Sequence, residues 1–390
     1  MGYFIDVAFD SLNKFGEELC GDNVEIIQTE KEVIVVLADG LGSGVKANIL
    51  ATLTSKIAGT MLKEGASLDE TVDTIVHTLP VCNIRKLAYS TFTIVKIDYE
   101  GQVHIIEYDN PPFFIHPHDT KIEIKKQSTP IQDKVIKESH FKIQDGDLLT
   151  IVSDGVIHAG VGALLNLGWQ WDNVNDYLAS IAPKEKCSSH IARGLIETCK
   201  NLYMERPGDD TTVVAIKVRE AEVVDLFTGP PEDPEDDSWV IRKFMKGKGK
   251  KVICGGTAAK IASRELEREL EVDITYLDKE VPPIAYLEGI DLVTEGVLTL
   301  SKTIEKIQKY VEGDFFEACP SFLEGKDGAS LLARLLIEDC THLHLWVGKA
   351  VNPAHQNPDF PIDLSIKLKV VKELVNWMEK IGKKVIVTYI

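Results

Sequence analysis

A small set of aspartates falls where apolar strands begin or end. Asp39 closes the run Val33-Ile34-Val35-Val36-Leu37-Ala38 and is followed by Gly40; Asp154 closes Leu148 to Ser153 and is followed by Gly155. Asp209 and Asp210 stand just before Thr212 to Val218, and Gly21-Asp22-Asn23 precedes Val24 to Ile27 in the same manner. A buried strand sets each acid at a rim, and small neighbours permit close backbone approach. Carboxylates gathered at one rim repel each other, a cost that a cation readily offsets. No His or Cys accompanies them, so the donors are hard oxygens, which suit Mg²⁺ or Mn²⁺ rather than Zn²⁺ or copper. Two such ions, about 3.5–4 Å apart, acidify a water between them and brace an in-line displacement at phosphorus.

The elements that must place these acids are legible in the apolar patterning. Val33 to Ala38 has strand length and suits burial on both faces. After a glycine-rich turn, Ile49, Leu53, Ile57 and Met61 recur every four residues, which predicts an amphipathic helix. Thr91 to Asp98, Val103 to Tyr108, Leu148 to Ser153 and Thr212 to Val218 are further strands, each bounded by turn formers. Ala163 to Ala182 and Ser188 to Tyr203 carry helical spacing.

Taken in order, four segments resemble the motifs of the PP2C-type (PPM) metal-dependent serine/threonine phosphatases: Gly21-Asp22, Asp39-Gly40-Leu41-Gly42-Ser43-Gly44, Ser153-Asp154-Gly155-Val156 and Gly208-Asp209-Asp210-Thr211-Thr212. The Asp-Gly-x-Gly-Ser-Gly version resembles the bacterial SpoIIE branch, and Asn110-Pro111-Pro112-Phe113 resembles that family's Pro-Pro turn. The resemblance covers about residues 1–220. It implies an α-β-β-α sandwich: two antiparallel sheets stacked face to face and flanked by helices. It also implies hydrolysis of phosphoserine or phosphothreonine by water activated at two Mn²⁺ or Mg²⁺ ions, with no covalent phosphoenzyme. Carried over by residue, Asp39 bridges the two metals and Gly40 lends its carbonyl. Asp154 and Asp209 hold the first metal, Asp22 reaches the second, and Asp210 orients Asp209 or binds a further cation. Asp39, Asp154 and Asp209 are thus the expected catalytic residues. Some relatives grip the phosphate with an early Arg, but no Arg precedes Arg85. Lys14 or Lys46 could take that place, although a solvated surface lysine accounts better for each. No general acid stands out; His158, near Asp154, reads as a polar surface residue.

The whole chain has 390 residues, with 61 Asp plus Glu against 43 Lys plus Arg and a net charge of −18. This length predicts two or three domains, and 44% hydrophobic with 27% charged residues is a globular balance that excludes a disordered chain. The acidity argues against nucleic-acid and anionic-membrane binding, which need clustered Lys and Arg. No apolar run approaches the ~18 residues of a membrane span. The first residues, Met1-Gly2-Tyr3-Phe4-Ile5-Asp6, show no export signal, which predicts a cytoplasmic protein. Cysteines at 20, 82, 187, 199, 254, 319 and 340 show no Cys-x-x-Cys and fit reduced core thiols.

A boundary is expected near 220–250. Gly229-Pro230-Pro231-Glu232-Asp233-Pro234-Glu235-Asp236-Asp237, followed by Lys246-Gly247-Lys248-Gly249-Lys250-Lys251, reads as an acidic-then-basic linker over 221–250. Residues 251–390 alternate strands, at about 252–254, 290–293, 342–347 and 384–390, with helices at about 257–270, 297–311, 328–339 and 364–381. That alternation predicts a smaller α/β domain with a parallel sheet. Its small-residue turns (Cys254-Gly255-Gly256-Thr257, Thr294-Glu295-Gly296, Val347-Gly348-Lys349 leading to Asn352-Pro353) would lie at the carboxyl edge, where a small-molecule ligand could bind. No Gly-x-Gly-x-x-Gly or P-loop occurs, and no family resemblance extends over this half. His116-Pro117-His118 reads as a hairpin turn, and His342-x-His344 as a satisfied polar strand face.

The sequence therefore predicts a two-domain, metal-dependent phosphoprotein phosphatase. Resemblance to the SpoIIE branch implies a phosphorylated bacterial signalling partner, such as a STAS-domain anti-anti-sigma or stressosome protein. A catalytically silent phosphoprotein-binding sensor is the alternative, and the intact Asp22, Asp39, Asp154 and Asp209 weigh against it.

Overall fold

Every residue from Val33 to Ala38 is buried because their strand lies in a sheet covered on both faces. The computed structural model describes residues 2–78, 81–82, 87–88, 90–118, 121–131, 134–273, 283–312, 325–350 and 366–390. The chain forms two units, Met1–Glu220 and Ala221–Ile390.

In the first unit the chain order is β1 (Phe4–Leu12), β2 (Asp22–Gln28), β3 (Glu32–Gly40), α1 (Gly44–Lys63), α2 (Leu68–Thr78), β4 (Val81–Cys82), β5 (Leu87–Ala88), β6 (Ser90–Asp98), β7 (Gln102–Tyr108), β8 (Phe114–His116), β9 (Lys125–Ile131), β10 (Lys134–Lys142), β11 (Leu148–Val152), α3 (Asp154–Ile157), α4 (Trp171–Ile181), α5 (Ser188–Leu202) and β12 (Thr211–Arg219). A six-stranded sheet runs β2-β3-β6-β7-β10-β9, and a four-stranded sheet runs β1-β12-β11-β8. All pairings in both are antiparallel.

Alternation along the strands builds the layers. Val35, Leu37, Val95 and Ile105 from the larger sheet meet Ile151, Val214 and Ile216 from the smaller one. The opposite face of the larger sheet (Val36, Ile94, Ile106) packs on Ala51, Ala58 and Leu62 of α1 and on Val72 and Ile75 of α2. Val152, Val213 and Ala215 pack outward on Leu178 of α4 and Ile191 and Leu195 of α5. The result is the expected α-β-β-α sandwich, with each fully buried aliphatic side chain contributing about 1.5–3 kcal/mol.

Several local expectations are corrected. Helix α1 is present, but its buried face is Ala47, Ala51, Ala58 and Gly59, while Ile49 and Leu53 are 51% and 47% exposed. Small residues let this helix lie close to the sheet, and of the large apolar stripe Ile57 packs half-buried against that core while Ile49 and Leu53 face outward. The helix expected from Ala163 begins only at Trp171, since Gly160, Gly162 and Gly168 all have positive φ. His116-Pro117-His118 is not a hairpin: His116 pairs with Leu148 in the smaller sheet, whereas the next strand, β9, belongs to the larger.

In the second unit the order is β13 (Val223–Thr228), α6 (Asp237–Lys246), β14 (Lys250–Cys254), α7 (Gly256–Leu266), β15 (Leu270–Val272), β16 (Ala285–Leu287), β17 (Leu292–Thr294), α8 (Val297–Glu312), α9 (Gly328–Arg334), β18 (His342–Val347), α10 (Ile366–Lys380) and β19 (Lys384–Tyr389). One seven-stranded sheet runs β15-β16-β17-β14-β13-β18-β19. Its five strands β17, β14, β13, β18 and β19 are parallel, and β15 and β16 add an antiparallel edge. The linker expected over 221–250 is therefore corrected, because this stretch supplies β13, the middle one of the five parallel strands, and the helix α6. Val224, Leu226 and Phe227 are fully buried, and the Pro- and Asp-rich segment is a short 3-10 turn, Pro234–Asp236, leading into α6. The helix expected to reach residue 270 stops at Leu266, with Glu267 left-handed, and Leu270 opens β15 instead. His344 is satisfied by Asp225 and Thr388, and Asn352-Pro353 lies outside the described residues.

Among the described residues no helix is long and apolar enough to cross a membrane. The described cysteines Cys20, Cys187, Cys199, Cys254 and Cys340 are free thiols.

Candidate active site

Both sheets of the first unit bring acids to one rim. In the larger sheet Asp22 pairs directly with Asp39 across β2 and β3, and Asp39 pairs with Thr91 of β6. The Gly40 N–H donates to the Gly21 carbonyl at 3.1 Å, which ties the two strand ends together. A Cβ on Gly40 would collide with the Ala47 carbonyl, so only glycine lets α1 settle there.

In the smaller sheet the end of β11 and the start of β12 are locked by two bonds. The Thr212 N–H donates to Ser153 Oγ at 2.8 Å, and the Ser153 N–H donates to the Thr212 carbonyl at 3.0 Å. Asp154 follows as the first residue of α3, with Asp209 and Asp210 beside it at the entry to β12. A Cβ on Gly155 would strike the Asp210 carbonyl. Asp210 also reaches the connection between β1 and β2: its Oδ1 accepts from the Lys14 N–H at 3.0 Å, and a Cβ on Gly21 would lie 2.6 Å from its Oδ2.

A cleft of about 390 Å³ results, lined by Asp39, Gly40, Asp154, Asp209 and Asp210 together with Lys14, Gly42, Ser43, Ser90, Thr91, Asp109 and Asn110. Asp22 lies behind this wall and is 6% exposed. Among the described residues, no three of these carboxylates bring oxygens within 4.8 Å of one another. A larger hollow of about 750 Å³ in the second unit is lined by Lys349, Lys369, Lys372, Val387 and Tyr389, with no acid among the described residues of its wall.

The electrostatics follow from crowding like charges in a dry place. Burial first, then the charges of Asp22, Asp154, Asp209 and Asp210, push the Asp39 carboxyl up to about 9. Burial is also the main cause for Asp22, which rises to about 7, with Asp210 and Asp154 adding to it. Asp154 is raised by burial and by Asp209, and Asp210 by burial and by Asp209. Both Asp22 carboxylate oxygens and Asp210 Oδ2 are buried without a hydrogen bond of full geometry, although the Ser153 and Thr212 side chains lie near enough to Asp22, and the Gly21 backbone to Asp210, to offset part of the rise. Orphaned anionic oxygens in an all-oxygen donor set fit hard divalent cations.

Of the sequence-derived acids, Asp39, Asp154, Asp209 and Asp210 line one cleft with Asp22 behind it, and two other residues join them. Lys14, read as a surface lysine, lines the cleft with its Nζ 3.7 Å from Asp209 Oδ1. Lys46 is an exposed residue of α1 and does not line it. Asp109, not singled out from the sequence, takes a left-handed conformation (φ 55°) just after β7. Its signal was an acid directly after an apolar strand, the same cue that marks Asp39. Asn110 holds the neighbouring turn by accepting from Thr91 Oγ1 at 2.8 Å and donating to Thr93 Oγ1 at 3.1 Å. His158 is exposed, and its charge lowers the Asp154 carboxyl.

Residues 29–219 match the family described as Stage II sporulation protein E (SpoIIE). The first unit is identified on this match as a SpoIIE-type domain of the PP2C class. The phosphoserine phosphatase RsbX of Bacillus subtilis (strain 168) is 33% identical over 108 residues, 27% of this chain and 50% of that protein. The chain therefore spans about half the length of the curated relative it matches. Among solved structures, the phosphatase domain of the cell fate determinant SpoIIE from Bacillus subtilis is 20% identical, covering 56% of this chain and 94% of that one, with a TM-score of 0.41. A structure of RsbX in complex with magnesium is 21% identical, covering 55% and 95%, with a TM-score of 0.40.

Proposed function

We propose that the first unit hydrolyses phosphoserine or phosphothreonine in a protein substrate, using two Mg²⁺ or Mn²⁺ ions. The observation that carries this reading is the gathering of Asp22, Asp39, Asp154, Asp209 and Asp210 from both sheets at one rim, with buried carboxylate oxygens left unpaired. Asp39, Gly40, Asp154 and Asp209 would hold the ions from the cleft wall, with Asp22 reaching from behind and Asp210 orienting Asp209. When bound, such ions neutralise phosphoryl charge and lower the pKa of a water.

The chain's own groups supply the rest. The Lys14 ammonium, beside Asp209, faces the space where a phosphoryl group would sit and holds it as a point charge. Asn110 and the Thr91 hydroxyl brace one wall, and the Gly42-Ser43 turn forms another. The cleft is open enough for a phosphorylated side chain on a protein surface, consistent with a STAS-domain or stressosome-type partner. The parallel strands of the second unit end in turns at Thr228, Cys254, Thr294 and Val347, the edge at which a small regulatory ligand would bind.

Purified full-length protein should release phosphate from a phosphoserine protein only with Mg²⁺ or Mn²⁺. Asp39→Asn should lower that release on the order of 10²-fold or more, the scale of losing a main electrostatic stabiliser. Undiminished activity in Asp39→Asn would overturn the assignment.

A further inference from the structure

Away from the acidic cleft, one described trio of metal-ligating side chains has its ligand atoms all within 4.8 Å: His104, Glu138 and His140. Its geometry comes from the strand pairing. His104 of β7 stands directly opposite His140 of β10, and Glu138, two residues before His140, points to the same face. Glu138 Oε1 lies 2.5 Å from His104 Nε2 and 3.1 Å from His140 Nε2, so both ring nitrogens converge on one carboxylate oxygen. The imidazoles overlap with centroids 3.8 Å apart and planes 30° from parallel.

We propose that His104, Glu138 and His140 form a binding site for one borderline divalent transition-metal ion of the Zn²⁺ type. Two imidazole nitrogens and a carboxylate oxygen make a His₂Glu donor set, and water fills the remaining position. Tetrahedral zinc with bonds of about 2.0–2.1 Å needs donors roughly 3.3 Å apart, which small side-chain adjustments of this trio reach. The strands on either side fix the backbone, while exposure rises from 26% at His104 and 24% at Glu138 to 46% at His140, giving a rigid base and an open mouth.

The surroundings are mixed in charge. Lys96 lies opposite His104 and is engaged by Glu32 at 3.1 Å, and Lys125 lies opposite His140. Directional nitrogen–metal bonds, rather than a negative field, must therefore supply the affinity. Burial and the neighbouring His140 keep His104 below the usual imidazole range, which favours the neutral ring that a metal requires. The two sites of this unit would then sort ions by hardness, and this assignment stands whether or not the cleft is a phosphatase centre.

The test is a titration of the full-length protein with Co²⁺ and then Zn²⁺ in excess Mg²⁺. The expected result is a visible Co²⁺ d–d band of four-coordinate intensity that one equivalent of Zn²⁺ abolishes. His104→Gln and His140→Gln should each lose the band and bind Zn²⁺ more weakly by at least the roughly 10–100-fold seen on losing a partner behind a metal ligand. Circular dichroism establishes that each variant is folded, and the more exposed His140→Gln serves if His104→Gln is not. The same Co²⁺ spectrum and Zn²⁺ affinity in folded His140→Gln, or no Zn²⁺ uptake by the unaltered protein, overturns the proposal.

Discussion

Asp22 and Asp39 face each other as a direct pair across two neighbouring antiparallel strands, Asp22 buried and Asp39 half-buried in the cleft wall. Like charges so placed are destabilising, and the two carboxyls rise from the ordinary 3.8 to about 7 and about 9. Over that range the folded chain keeps protons that the unfolded chain has released, so stability is lost as pH rises through the folded values. In chelator, the melting temperature should fall steadily between about pH 5 and pH 9, and added Mg²⁺ or Mn²⁺ should restore most at the alkaline end. A flat profile would contradict this electrostatic account.

Neutralising one member of the pair separates stability from activity. Asp39→Asn keeps the shape of the side chain and removes a repelling charge, so the chelated protein should melt higher than the unaltered one. The same variant should lose most of the Mg²⁺-induced rise in melting temperature. Differential scanning calorimetry with and without metal checks both signs.

Two glycines of one motif should respond differently. A Cβ on Gly40 collides with the backbone of α1, whereas Gly42, at φ +104°, has open space around it. Gly40→Ala should cost about 1–3 kcal/mol by overpacking and displace the carbonyl beside Asp39. Gly42→Ala should cost about 1–2 kcal/mol through the left-handed backbone alone. Urea unfolding gives both values, and only Gly40→Ala should also weaken metal-dependent stabilisation.

Lys14 should act on substrate binding. Lys14→Ala is expected to raise KM for a phosphoserine peptide about tenfold, the loss of roughly 1.4 kcal/mol of charge-assisted contact, with a smaller change in kcat. Lys14→Arg should recover much of that loss. Steady-state kinetics at fixed Mn²⁺ decides; an unchanged KM would return Lys14 to the status of a rim lysine.

In the second unit, the buried Lys251 ammonium is held by Asp225 Oδ2 at 2.5 Å, and Asp225 Oδ1 also accepts from Trp346 Nε1 at 3.1 Å. Removing the carboxylate strands a buried charge. Asp225→Ala should destabilise by about 3–5 kcal/mol, read by denaturant unfolding, whereas the exposed Lys380–Glu312 pair should matter little when broken.

What the sequence disclosed followed physical lines. The acids were readable because each sits where an apolar run stops, and β3, β6, β7, β11 and β12 were readable because burial forces continuous or alternating apolar residues. Lys14 was named beside Lys46 but read as a surface residue, because nothing local distinguishes a cleft lysine from a solvated one; only the fold brings β1's end beside Asp209. The inner face of α1 was missed because close packing on a sheet selects alanine and glycine, which carry no strong apolar signal. The His104–Glu138–His140 trio was invisible because His104 lies 34 residues before Glu138 and meets Glu138 and His140 through strand register alone.

The place of β13 bears on how the protein can be divided. It is flanked on both sides, by β14 and by β18, and residues 223–228 supply every backbone partner on those two edges. A fragment begun at 251 on the strength of the Pro- and Asp-rich stretch would leave two sheet halves with bare, apolar hydrogen-bonding edges. Such edges recruit other chains, so that fragment should precipitate, while one begun at 221 retains its central strand.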